Sequence, residues 1–156
     1  TDQELNQIAS FFPGAMSEAR EIELAPIVEK TGKFDLLIIS PDDPDAMLSH
    51  SQSARDMGIP FAADPSQQLA RMDGEAIKLL IEGAQYLFLN EYELALTIQK
   101  TGWSDAEIFS KVAVRVITLG SDGARVEEHG KEPITVGTPK ENLKIVLNVV
   151  DLDRDS

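Results

Sequence analysis

The 156 residues contain no cysteine, which excludes disulfides, zinc–thiolate centres and thiol nucleophiles. Histidine is almost as scarce: only His50 and His129 occur, each expected at the surface, and no Ser–His–Asp arrangement or metal-ligand cluster is visible. There is no run of about 18 apolar residues, so a membrane-spanning helix is not expected. The opening Thr1-Asp2-Gln3-Glu4 is polar and acidic. A signal peptide is therefore not expected, and the cytoplasm is the expected compartment. Positive charge is also in short supply: 14 Lys and Arg face 27 Asp and Glu, for a formal net charge of −13. A surface of that sign repels nucleic acid and anionic membranes, and neither is an expected partner. A nucleotide is still allowed, because a small site can use backbone N–H groups and a metal ion.

What is present suits one globular domain, with 42% hydrophobic and 26% charged residues. Four apolar runs stand out: Leu36–Ile39, Ile59–Ala63, Tyr86–Leu89 and Val114–Leu119. The first and third are continuous rather than alternating, the pattern of strands covered on both faces of a parallel sheet. Helical segments separate them. Asp43 followed by Pro44 reads as an N-cap with proline in the first turn, opening a helix to about Met57. Ile77, Leu80, Ile81 and Ala84 mark a second helical face, with Gly83 near its end. A third helix spans Asn90 to Lys100, and Ser104 with Glu107 forms a capping box that opens a fourth. Units of about 24–30 residues fit strand–helix crossovers of a parallel sheet.

Beyond Gly123 the pattern changes. Ala124–Glu128, a turn at His129-Gly130, and Pro133–Val136 read as an antiparallel hairpin. Gln7–Phe12 reads as a further strand ending at the Pro13-Gly14 turn. The expected fold is thus α/β, an open and mostly parallel sheet flanked by helices, with an antiparallel hairpin at one edge.

Polar residues close each apolar run: Ser40, Asp64, Asn90 and Thr118. Ligands of open α/β sheets bind outside the carboxyl ends of the strands, so these positions are site candidates as well as ordinary loop residues. Asn90 and Glu93 read equally as a capping box and as groups that orient a hydrated Mg²⁺ near phosphates at a helix N-terminus. Thr118-Leu119-Gly120-Ser121-Asp122-Gly123 ends a strand in a glycine turn that a ligand could approach closely, or that simply joins two strands. No P-loop is present. Pro41–Asp45 reads as helix capping, Asp151, Asp153 and Asp155 as a solvated tail, and Trp103 as a packing anchor.

Together these segments resemble the ribokinase-type (pfkB) kinases. Phe11–Ala19 and Ala63–Arg71 are similar to segments of bacterial adenosine kinases of that type. Asn90-Glu91-Tyr92-Glu93 fits the N-x-x-E motif, and Thr118–Gly123 fits T-L-G-x-x-G. The resemblance covers about residues 1–138 and leaves 139–156 as a divergent tail. It implies transfer of the ATP γ-phosphoryl group to a sugar or nucleoside hydroxyl, with Mg²⁺. It carries Asn90, Glu93, Thr118, Gly120 and Gly123 over as nucleotide and phosphate contacts, with Glu93 reaching Mg²⁺ indirectly and Asp64 lining the cleft.

Two departures accompany it. The family's N-terminal half, with its glycine pair and sugar lid, does not precede Thr1. The Gly-Ala-Gly-Asp-type motif that supplies the anion hole and catalytic base does not follow the hairpin, so no catalytic residue is assigned. The chain therefore reads as a kinase fragment, or as a product whose frame changes near residue 140, inactive on its own. A non-catalytic nucleotide-binding module and a degenerate interaction scaffold are the alternatives. Unpaired strand edges and the apolar stretch Val146–Val150 lead to an expectation of homo-oligomers.

Overall fold

The computed structural model describes residues 13–138. Six strands form one sheet: β1 (Leu37–Ile39), β2 (Phe61–Ala63), β3 (Tyr86–Asn90), β4 (Val114–Thr118), β5 (Ala124–Glu128) and β6 (Ile134–Val136). Their spatial order is β1-β2-β3-β4-β5-β6, identical to their order in the chain. β1 to β4 pair in parallel, and β4–β5 and β5–β6 pair antiparallel. The expected α/β sheet with its hairpin edge is therefore present. The strands are slightly shorter than the apolar runs that announced them: Leu36, Ile59, Pro60 and Leu119 lie just outside. The Gln7–Phe12 strand and the 139–156 tail fall outside the described residues.

Five α-helices connect or flank the strands: α1 (Leu24–Thr31), α2 (Pro44–Asp56), α3 (Gly74–Ile81), α4 (Glu91–Thr101) and α5 (Asp105–Ser110). Three short 3₁₀ segments add to them, Gly14–Glu21, Ser66–Ala70 and Gly120–Asp122. Local chemistry sets the helix starts. The Asp43 carboxylate accepts from the N–H groups of Asp45 and Ala46, ahead of Pro44. Asp73 accepts from Ala76 N–H to open α3. Both Asn90–Glu93 and Ser104–Glu107 form reciprocal capping boxes. Each satisfies helix N–H groups that have no partner within the helix. Among the described residues no helix is long and apolar enough to cross a membrane.

The core lies on one side of the sheet. Ile39, Phe61, Ala63, Leu87, Leu89 and Ile117 point to it and meet Met47, Ala54, Ile77, Leu80, Ile81 and Ile108 from the helices. Burying each such large side chain stabilises the fold by about 1.5–3 kcal/mol. The other face carries the alternate strand positions: Ile38, Tyr86, Phe88, Val116, Val126, Ile134 and Val136. None of these joins the core cluster. Ile38 is 64% exposed, Ile134 61% and Val136 58%. The described helices that build the core cluster account for cover on one of the two faces that the continuous runs led us to expect to be buried.

Two backbone approaches need glycine. A Cβ on Gly74 would overlap the Lys100 carbonyl at the end of α4, and one on Gly123 would overlap the Val136 carbonyl of β6. Lys100 reinforces the first contact. Its Nζ donates to the carbonyls of Leu69 (2.7 Å), Ala70 (2.9 Å) and Met72 (2.7 Å). The ammonium thereby ties the C-terminal turn of α4 to the segment after β2, where carbonyls concentrate negative charge. Residues 14–31, for which no helix was expected beyond the turn at Pro13, form a 3₁₀ segment and α1. Arg20 of that segment bonds Asp43 at 2.7 Å. Burial works against the charge on Asp43, but Arg20 and the capping N–H of Ala46 hold its carboxyl below the usual range.

Candidate functional site

The carboxyl ends of β2, β3 and β4 open onto a cleft of about 280 Å³ lined by Asp64, Ser66, Phe88, Leu89, Asn90, Glu93 and Thr118. Parallel pairing accounts for the convergence. Asn90 is in register with Thr118 across β3 and β4. The Asp64 N–H donates to the Ile39 carbonyl at 3.0 Å, which continues the β1–β2 ladder to the cleft floor. Four of the expected positions, Asp64, Asn90, Glu93 and Thr118, are thus assembled from three strand ends. Ser40 is not among them. It lies in a separate depression beside β1 with Asp42 and His50.

Within the cleft, the Asn90 Oδ1 accepts from Glu93 N–H at 2.8 Å, and Glu93 Oε2 accepts from Asn90 N–H at 2.8 Å. The capping role is therefore real, and it fixes the Glu93 carboxylate at the cleft wall through one oxygen. Thr97, one turn on, is fully buried and its hydroxyl donates to the Glu93 carbonyl at 2.8 Å. Asp64 is half-buried, and that desolvation pushes its carboxyl above the usual range.

Ser66 was not anticipated. Its φ of 42° makes it the single non-glycine residue with positive φ among the described residues. Such strain clusters at ligand sites held by the surrounding structure. The Lys100 clamp and the buried Leu69 hold the turn that Ser66 begins. No sequence pattern marks this position, since serine gives no warning of left-handed backbone. Phe88 was read as strand core and instead is 37% exposed at the cleft.

Gly120 and Gly123 stand next to the cleft without lining it. The turn they form is tied internally: Leu119 N–H donates to the Gly123 carbonyl at 2.8 Å, and Gly123 N–H donates to the Gly120 carbonyl at 3.2 Å. Gly120 has φ +56° and open space around its would-be Cβ, whereas Gly123 is pressed against β6. Gly120 is the one that leaves room for a ligand.

The remaining expectations divide. Trp103 packs against the core, with the ammonium groups of Lys78 and Lys111 over its ring at 5.6 and 5.2 Å. His50 is not simply a surface residue. It is half-buried, with Nε2 3.0 Å from the Ile22 carbonyl. His129 is exposed, but its ring stacks on Phe109 at 4.2 Å and Nε2 faces the carbonyls of Phe109 and Val112. Arg115, unremarked in the sequence, is a buried cation, 2% exposed, held by Glu127 at 2.7 Å and Asp105 at 2.8 Å. It docks α5 onto the sheet, away from the cleft. Asp151, Asp153 and Asp155 lie outside the described residues.

Known proteins share this fold. The model of the pfkB family carbohydrate kinases matches residues 1–144. The nucleoside kinase of Burkholderia thailandensis, solved in complex with inosine, is 33% identical with a TM-score of 0.82. That match covers 91% of this chain and 46% of that one. The same kinase solved with ADP-inosine gives a TM-score of 0.78 over 88% of this chain and 41% of the other. A nucleoside kinase of Methanocaldococcus jannaschii is 24% identical over 132 residues, 85% of this chain and 42% of its own. The chain thus spans less than half the length of these relatives.

Proposed function

The chain belongs to the pfkB family of carbohydrate kinases, and we propose from that premise that its cleft holds the phosphate end of ATP within a sugar or nucleoside kinase site. The observation that carries this reading is the convergence of Asp64, Asn90, Glu93 and Thr118 on one cleft at the carboxyl edge of the parallel sheet. Its volume of about 280 Å³ lies below the range of roughly 300–1,000 Å³ for whole-ligand pockets, which suits a phosphate group better than an entire nucleotide. The N-terminus of α4 adds partial positive charge there. Thr118, exposed at the end of β4, supplies a hydroxyl donor, and the open Gly120 allows the phosphate chain to pass close to the backbone.

The donor set fits Mg²⁺ held mainly by water and phosphate. Among the described residues no group of three or more His, Asp or Glu is placed to bind a metal directly. Asp64 and Glu93 nevertheless put two carboxylates beside the expected phosphates, a repulsive pairing unless a divalent cation stands between them. Mg²⁺ retains several waters and accepts few protein ligands, so Glu93 would act on it through water. When bound, the ion supplies charge neutralisation on the phosphates. The chain's own groups orient: Asn90 fixes the Glu93 carboxylate, and Thr118, beside Asn90 in the strand register, offers its hydroxyl to the phosphate.

A nucleoside acceptor follows the Burkholderia relative bound to inosine, with adenosine the finer expectation from the Phe11–Ala19 and Ala63–Arg71 segments. A cytoplasmic setting belongs to the same reading, since ATP is the donor. Phosphoryl transfer rests on positioning and on a base worth about 10²–10⁴-fold. No glycine follows Gly137 in the sequence, so a Gly-Ala-Gly-Asp anion hole is not supplied by these 156 residues. They are therefore expected to bind nucleotide without turning it over.

Calorimetric titration with Mg²⁺-ATP tests the binding. Affinity should fall in Gly120→Val and in Glu93→Gln, and an unchanged affinity in both would remove the cleft from consideration. ADP release with adenosine or ribose tests turnover, and a rate near roughly 1–100 per second, typical of kinases, would show that the base lies within the chain after all.

A further inference from the structure

We propose that Ser66 is a ligand-contacting residue of the cleft, its hydroxyl donating to the terminal phosphate of the nucleotide, and that Lys100 is the positioning residue that holds it there. The proposal rests on the phosphate reading of the cleft given above. Three observations meet at this residue. First, Ser66 lines the cleft with Asp64, Asn90, Glu93 and Thr118. Second, its φ of 42° lies in the left-handed region, which glycine occupies freely and a residue with a Cβ enters only under strain. Among the described residues every other positive-φ position is a glycine. A side chain kept where its absence would be easier on the backbone points to a use for that side chain.

The third observation is how the turn is held. β2 ends at Ala63, and the chain passes through Asp64 and Pro65 into the 3₁₀ segment Ser66–Ala70. Leu69 is fully buried and Gln68 is 2% exposed, which pins this segment against the core. The Lys100 ammonium then bonds the carbonyls of Leu69, Ala70 and Met72. Its three N–H donors are all used in these contacts, so Lys100 acts through the turn rather than on a ligand. Lys100 lies in the last turn of α4, whose first turn carries Glu93 beneath the Asn90 cap. The helix is about 16 Å long. It therefore grips the cleft at both ends: its N-terminus forms one wall, and its C-terminal lysine sets the turn that forms the other.

Strand order selects the phosphate. The cleft residues stand in a row across the carboxyl edge of the sheet, with Thr118 on β4, Asn90 on β3, and Asp64 and Ser66 after β2. The open turn at Gly120, where the phosphate chain passes close to the backbone, lies beyond β4. The end of the chain farthest from that turn reaches the β2 side, where Ser66 stands near Asp64. A neutral hydroxyl can donate to a phosphate oxygen there, beside a carboxylate that repels it.

Calorimetric titration of the full chain with Mg²⁺-ATP and with Mg²⁺-ADP tests the assignment, alongside thermal scans of the same samples. Ser66→Ala keeps the strained backbone and removes the hydroxyl. Its affinity for Mg²⁺-ATP should fall about 5- to 10-fold and for Mg²⁺-ADP less than about 2-fold, with Tm nearly unchanged. Ser66→Gly removes hydroxyl and strain together, and should show the same loss of affinity with a Tm equal to or above that of the unaltered chain. Lys100→Met keeps an unbranched stem without the ammonium, and should lower both Tm and Mg²⁺-ATP affinity. Added to Ser66→Ala, it should lower affinity by less than about 2-fold further while still lowering Tm, because the hydroxyl it positions is already gone. Should Lys100→Met fold poorly, Lys100→Arg serves in its place, since a planar guanidinium keeps the charge but cannot set three donors on one point.

Unchanged Mg²⁺-ATP affinity in both Ser66 variants would overturn the proposal. So would equal losses for Mg²⁺-ATP and Mg²⁺-ADP, or full additivity in the double variant, which is the signature of a lysine that only stabilises the fold. Glu93→Gln separates this failure from failure of the cleft. Affinity that falls there and holds at Ser66 removes Ser66 alone, whereas an unaltered chain that binds no Mg²⁺-ATP removes the cleft and the proposal together.

Discussion

The two capping boxes use one local device in two settings. Asn90 with Glu93 opens α4, and Ser104 with Glu107 opens α5. In each, a polar side chain takes the N–H of the third helical residue, while the glutamate takes the N–H of the cap. The Asn90 box starts directly from the last residue of a parallel strand and lines a cleft. The Ser104 box starts from the short link after α4 and is exposed at both residues. Glu107 spends one oxygen on both the N–H and the hydroxyl of Ser104, at 2.7 and 2.8 Å. Motif geometry therefore accounts for helix initiation in both cases. Position at the carboxyl edge of the sheet is what converts one of them into a candidate ligand site.

The largest expected effect comes from the far end of α4, which is anchored in a way α5 is not. Gly74→Ala would drive a methyl group into the Lys100 carbonyl and should cost about 2–3 kcal/mol in urea denaturation. A cost below about 0.5 kcal/mol would mean that α3 and α4 can separate freely. Next, Asn90→Ala and Ser104→Ala should each destabilise by about 1 kcal/mol, as loss of a cap does. The two variants should diverge in calorimetry, with Mg²⁺-ATP affinity falling about 10-fold for Asn90→Ala and holding for Ser104→Ala. Equal affinities would erase the functional difference between the boxes.

Two smaller effects depend on pH. Asp64 is raised by burial, so its ionised form opposes folding; the proton is bound more tightly in the folded chain, and stability falls as pH rises through the window from its unfolded to its folded value. Asp64→Asn should therefore raise Tm at pH 7 and lose that advantage near pH 4, as read by thermal scans. Glu107 is held below its usual range by the Ser104 N–H and hydroxyl. That contribution is present above its unfolded value and disappears as pH falls through the folded one. Glu107→Gln should accordingly flatten the acid limb of the stability profile slightly, and a variant with the wild-type acid limb would show the box to be energetically silent.

The strands were legible because apolar runs and their polar ends report directly on a buried parallel sheet. Four of the cleft residues followed from the same logic, since strand order brings strand ends together. The parts that were not legible lack a local signature. Residues 14–21 form a 3₁₀ segment rich in polar side chains, secured by Arg20 on Asp43 more than 20 positions away. The left-handed Ser66 is held by Lys100, 34 positions on, through carbonyls of the intervening turn. Arg115 sits in an apolar strand pattern, and its partners Asp105 and Glu127 are recognisable only once β4 is paired with β5. The continuous runs suggested cover on both faces, and the described helices account for one of them, because a run records that a face is apolar and not what lies on it.

The sheet adds its strands in the order in which the chain is made. Among the described strands every pairing joins neighbours in sequence, so each loop to be closed is short and the entropy of closing it is modest. During synthesis each of β2 to β6 meets, as it emerges, the edge of the strand that precedes it in the chain. Assembly of this kind proceeds by accretion from one side.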